Sequence, residues 1–171
     1  MTVFLKARCS AGNRRSTKSL RKSKQGSNSM SEREILEALQ TATRAAVEAC
    51  PPPSNALPIK YLGRTFVIPD DQKWLELVHL PNNITGEFWG SSKTYRGTLR
   101  LILHWPNNDQ GVYSPIDIIE QIGSFFAKGK SLQSGQSVVK IDENPDYFGS
   151  IETGTETVFV LTVRYQSFAA E

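Results

Sequence analysis

YRGTLRLILHWPNNDQGVYSPIDIIEQIGSFF, residues 95–126, decides how this chain folds. Its first part alternates. Tyr95, Leu99, Leu101, Leu103 and Trp105 fall on one face, and Arg96, Thr98, Arg100, Ile102 and His104 fall on the other. A period of two with one apolar face predicts a strand covered on one side only. The polar run Pro106-Asn107-Asn108-Asp109-Gln110-Gly111 predicts a tight turn. A helix signal follows, with Ser114 as cap, Pro115 in the first helical position and Asp117 completing a capping box. Ile116, Ile119, Ile122 and Phe126 form its apolar stripe, and Gly129 suits the exit.

Working outward, Ser31 and Glu34 form another capping box ahead of Ile35, Leu39, Ala42, Ala46 and Ala49 at helical spacing. That stripe is narrow and ends in alanine, so the helix suits close packing on a sheet. Pro51-Pro52-Pro53 terminates it, because proline lacks the amide donor. Residues 54–72 read as irregular, with a short extended piece near Thr65–Ile68. Trp74–Leu80 reads as a strand, and Pro81–Lys93 as a loop that holds Phe88 and Trp89. Ser137–Glu143 is a shorter strand, Asn144–Gly149 a turn, and Thr155–Phe168 a final strand that is partly apolar on both faces. The expected fold is α+β: a largely antiparallel four-stranded sheet with two helices packed on one face.

At 171 residues, a single domain with an ordinary core is expected. The charge is split. Residues 1–30 carry eight Lys or Arg and no acid, while the rest carries twelve bases and seventeen acids. Residues 1–29 therefore read as a basic leader that is disordered without a partner, and residues 30–171 as the folded domain. An upstream extension of a mis-called frame leads the accounts of the leader, since Met30-Ser31-Glu32 resembles a natural start. A nucleic-acid-binding arm and a mitochondrial transit peptide are the others. There is no apolar run long enough for a membrane span. Cys9 and Cys50 do not make a disulfide framework, which fits a reduced intracellular product.

Signs of chemistry are weak. His79 and His104 sit on separate strands with no ligand-spaced neighbours and read as structural or surface histidines. Asp70-Asp71 and Asp142-Glu143 read as solvated charges at turns and strand ends. Gly90-Ser91-Ser92-Lys93 has the wrong glycine spacing for a phosphate loop and precedes a strand. Cys50 has no activating neighbour. Arg96 and Arg100 could meet nucleic acid, but Tyr95 and Trp105 lie on the opposite face, and a stacking platform needs both on one side. Subunit salt bridges or solvated charges are the favoured readings. No catalytic residue, metal site or cofactor is expected.

The block from Phe88 through Phe126 resembles the tail terminator, or tail completion, proteins of long-tailed bacteriophages. Tyr95-Arg96-Gly97 opens its long strand, Trp105-Pro106 closes it, and Gly111 precedes a helix ending in Phe125-Phe126. The last strand after Gly149 and Gly154 has the same layout. The similarity spans residues 31–168 loosely, on element order and scattered residues, and the basic leader has no counterpart in it. The resemblance implies a non-enzymatic virion protein, assembled in the host cytoplasm and located at the head–tail junction. It implies a hexameric ring that caps the tail tube, ends tube polymerisation and joins the tail to a head connector or stopper protein. DNA would pass through without specific binding, which a mildly acidic body suits. For the subunit or tube contacts the expected residues are Phe88, Trp89, Arg96, Arg100, Asn107, Asn108 and Asp109, since large loop aromatics tend to anchor interfaces. The alternatives are another head–tail connector or minor tail protein, a nucleic-acid-binding protein using residues 6–24, and, least supported, a small enzyme.

Overall fold

The computed structural model describes residues 32–82, 85–86, 93–107, 113–135 and 137–168. The basic leader, Ser31, Phe88, Trp89, Asn108, Asp109 and Gly111 lie outside them. Helix α1 (Glu32–Glu48) leads through a 3-10 turn (Ser54–Ala56) into β1 (Ile59–Lys60), β2 (Trp74–Pro81), β3 (Thr85–Gly86) and β4 (Lys93–Pro106). Helix α2 (Tyr113–Ser124) precedes β5 (Ser131–Ser134), β6 (Ser137–Ile141), β7 (Asp146–Glu152) and β8 (Glu156–Phe168).

The sheet has eight strands rather than four, and it curls around the helices. The hydrogen-bonded path runs β1-β2-β4-β8-β6-β5, with β3 beside β4 and β7 beside β8. Only the β1–β2 pair is parallel. The long β4–β8 pair, from Thr94↔Phe168 to Pro106↔Glu156, is its spine. Along one side of that spine β2 and β3 run in the same direction, as do β6 and β7 along the other. Each couple behaves as one interrupted strand.

The expected strands β2, β4, β6 and β8 are present. The four that were not expected give no periodic signal. β1 and β3 are two residues long. The extended piece near Thr65–Ile68 is not a strand; the paired residues come earlier, at Ile59–Lys60. β7 replaces the expected Asn144–Gly149 turn. Its residues are almost all exposed, so no core face imposes alternation on it. A bulge between Tyr147 and Gly149, with Gly149 at φ +102°, supplies the glycine that reads as a turn.

Both helices contribute to one core on one face of the sheet. α1 packs on β5 and β6, and α2 on β4 and β8. The odd-numbered residues of β4 predicted to face the core are all buried: Tyr95, Leu99, Leu101, Leu103 and Trp105. Leu75 and Leu77 of β2 and Phe159, Leu161, Val163 and Tyr165 of β8 share that layer. Fully burying each such side chain stabilises by about 1.5–3 kcal/mol before the cost of chain ordering. The α1 stripe is wider than expected. Ala38, Thr43 and Val47 join Ile35, Leu39 and Ala46 in the core, while Ala49 is exposed. The Thr43 hydroxyl is satisfied by the Leu39 carbonyl at 2.8 Å. α1 is also tied to the β5–β6 hairpin, where the Ser137 hydroxyl donates to the Glu34 carboxylate. In α2, Ile119, Ile122 and the following Phe126 are buried and Ile116 is partly buried, as the spacing implied.

Candidate assembly surfaces

Both helices lie on one face; on the other, Phe66 packs over the buried Trp74 at one end, with ring centroids 5.1 Å apart, and the aliphatic centre is only half-buried among the described residues. The pairing register defines its rows. Val78, Arg100, Thr162 and Asp146 make one, and Glu76, Ile102, Val160 and Gly149 the next. Trp74, His104, Val158 and Ile151 make a third. The centre is therefore aliphatic and only partly buried. Arg96, Arg100 and Arg164 surround Thr98 at one end of the face, and all three are exposed. Arg164 pairs with Glu143 at 2.6 Å. Burial raises the Asp142 carboxyl above its usual range, and the positive charge of Arg96 partly offsets this. The predicted polar-face arginines thus sit on the open side of the sheet. Tyr95 and Trp105 are buried on the other side, which removes them as stacking partners.

The opposite end of the face holds a polar chain that sequence spacing did not show. Lys60 on β1 meets Glu76 on β2 at 2.6 Å. The His104 ring lies between Glu76, 3.5 Å from Nε2, and Glu156, 3.1 Å from Nδ1. Trp74 stacks on that ring, with centroids 3.7 Å apart. The carboxylates flank the imidazole from two sides rather than converging on one point. Among the described residues, no group of three or more His, Cys, Asp or Glu is placed to hold a metal ion. His79 lies on the core side, half-buried, with Nε2 2.5 Å from the Tyr165 hydroxyl. Desolvation holds its imidazole below the ordinary range and pushes the Tyr165 phenol up. Cys50 is buried, its thiol bonds to the Ala46 carbonyl, and burial raises its pKa, away from nucleophilic reactivity.

Asn107 is engaged within the chain. Its Nδ2 donates to the Thr153 carbonyl at 2.9 Å, its Oδ1 accepts from the Thr157 hydroxyl at 2.6 Å, and its amide donates to the Thr155 carbonyl. It clamps the end of β4 to the β7–β8 turn. Two exposed apolar surfaces were missed by the sequence reading. One is the segment after β1 with Leu62, Val67 and Ile68; the other is β7 with Phe148 and Ile151. The available signal was large apolar residues placed beside glycine or proline without periodicity, which by itself does not separate surface from core.

These features define a small helix-backed sheet whose remaining face and edges carry exposed apolar and charged side chains. The chain belongs to the phage tail terminator family, whose model, described as phage tail terminator protein, matches residues 34–165. It is thus a structural component of phage tails, from a family not known for enzymatic activity. No helix among the described residues is long and apolar enough to cross a membrane. Comparison with curated proteins gives no match. One similar solved structure is 20% identical, covers 81% of this chain and 96% of its own, and superposes with a TM-score of 0.67. At that identity the likeness shows the fold.

Proposed function

We propose that this chain forms a closed ring, hexameric in its finished form, on the head-proximal end of the tail tube. There it stops tube polymerisation and receives the head connector or stopper protein, with DNA passing through the ring without specific binding. The observation that carries this reading is the helix-free face of the sheet, only half-buried at its centre. It is an aliphatic centre bordered by Arg96, Arg100 and Arg164 at one end and by Lys60, Glu76, His104 and Glu156 at the other. A monomer rarely leaves such a surface open without a partner. Family membership supplies the tail as the setting and the tube as a contact.

Phe88, Trp89, Asn108 and Asp109, which lie outside the described residues on either side of β4 in the sequence, are further proposed contacts. Arg100 is the best-placed of the proposed residues within the described sheet. The test is tube growth in vitro. Purified full-length chain added to polymerising tail tube protein should fix tube length and be found at one tube end. Tubes that elongate unchanged, with the chain left in solution, would refute the proposal.

A further inference from the structure

Apart from Leu80 on β2 and Val138 on β6, the large apolar side chains exposed among the described residues fall in two segments. Leu62, Val67 and Ile68 are 62%, 82% and 60% exposed, and Tyr147, Phe148 and Ile151 are 37%, 81% and 55% exposed. The first group follows β1, which ends the sheet on one side. The second group is on β7, across the β4–β8 spine from β1: Phe148 stands at its bulge, Ile151 beside Val158 on the helix-free face and Tyr147 beside Leu161 on the helix side, so the three meet along the strand's outer edge. Among the described residues β7 pairs with β8 alone, so its outer edge has strand hydrogen-bonding groups to offer.

The two segments also differ in charge. Residues 59–68, IKYLGRTFVI, contain Lys60 and Arg64 and no acid. Residues 146–152, DYFGSIE, contain Asp146 and Glu152 and no base. Lys60 already meets Glu76, and Arg64 lies over the Tyr61 ring at 5.4 Å, so Arg64 is the better candidate for an outside carboxylate. Asp70 and Asp71 lie just beyond the first segment, and Glu143, paired with Arg164, lies just before the second.

From this we infer that the β7 surface of one copy seats on the 59–68 surface of the next. Either surface facing itself would bring like charges together, whereas each facing the other pairs apolar with apolar and acid with base. A contact between two different surfaces is head-to-tail, and it makes a ring when the rotation closes. The inference rests on the ring reading above and names the joint of that ring. The occupant of each surface is a second copy of this chain.

The test uses two full-length variants, V67D and F148D, each damaging one half of the joint. Both positions are more than four-fifths exposed, so both variants should keep the circular dichroism spectrum of the parent. Each alone should lose ring assembly, with association weakened roughly thirtyfold or more, as for a central interface residue. Mixed in equal amounts they should form dimers and nothing larger, since one intact joint is all the mixture can make. R64E should also weaken assembly, and adding D146K and E152K to the same chain should restore it. Rings formed by V67D and F148D as readily as by the parent would overturn this joint and leave the ring reading standing. So would a mixture that stays monomeric, or one that regains full rings. A parent chain that forms no ring in solution or on tail tubes would remove the ring reading itself.

Discussion

Replacing Gly97 by alanine places a methyl group where the Tyr165 ring already lies. The two residues are directly opposite in the β4–β8 pair. A Cβ on residue 97 would sit 2.6 Å from Cζ and 2.9 Å from Cε1 of Tyr165, and closer still to the hydroxyl. Carbon atoms rest at about 3.5–4.0 Å, so ring or strand must shift by about 1 Å. Tyr165 has little room to do so. It is 1% exposed, and its hydroxyl shares a 2.5 Å hydrogen bond with His79. Overpacking of this kind costs about 1–3 kcal/mol. Restricting the unfolded chain returns about 0.4–1 kcal/mol. A net loss of about 1–2 kcal/mol is expected, a fall of roughly 2–8 °C in Tm for a chain of this size. Urea unfolding followed by tryptophan fluorescence reads it, at one fixed protomer concentration because assembly adds apparent stability. The control is G97A in a Tyr165→Ala background. With the ring gone the methyl has space, so the substitution should there be neutral or slightly stabilising. An equal cost in both backgrounds, or no cost in either, would refute the close-approach explanation for this glycine.

Three further outcomes are expected. Burial keeps the His79 imidazole below its ordinary value of 6.5. The folded chain therefore keeps it neutral to a lower pH than the unfolded chain, which takes up a proton as pH falls through 6.5. The stability this protects is complete above that pH and declines below it, so H79Q should flatten the loss of stability as pH falls through 6.5. N107A removes two side-chain hydrogen bonds, one to Thr153 in the β7–β8 turn and one from Thr157 at the start of β8. The first is exposed and the second part-buried, so a loss of about 1–2 kcal/mol by thermal unfolding is expected. Deleting residues 1–29 should leave tube capping intact. Loss of capping together with salt-dependent DNA binding would move the function to the basic arm.

The spine of this fold is legible because burial writes a period into the sequence. The odd-numbered residues of β4 and β8 and the stripe of α2 must meet one core, so their order in the chain shows which way they face. Where no core imposes a face, the signal vanishes. β7 is exposed along its length, and its bulge glycine imitates a turn. β1 and β3 are too short for any pattern. The Glu76–His104–Glu156 chain was hidden for another reason: its members come from three strands, and only the pairing register brings them together. Arg96 and Arg100 were readable as outward-facing by parity alone. Asn107 is expected as a contact in the turn, and its hydrogen bonds within the chain are not legible because its partners, Thr153 and Thr157, lie at the far end of the sequence. Gly97 was visible as part of a motif, but its reason, the Tyr165 ring on the neighbouring strand, was not.

The mass of the assembled full-length chain, measured by native mass spectrometry in solution and by cross-linking on purified tails, tests the ring most directly. A closed ring of six 19.1 kDa chains is the predicted result. A chain that stays monomeric at every concentration and is missing from the tail end would contradict it.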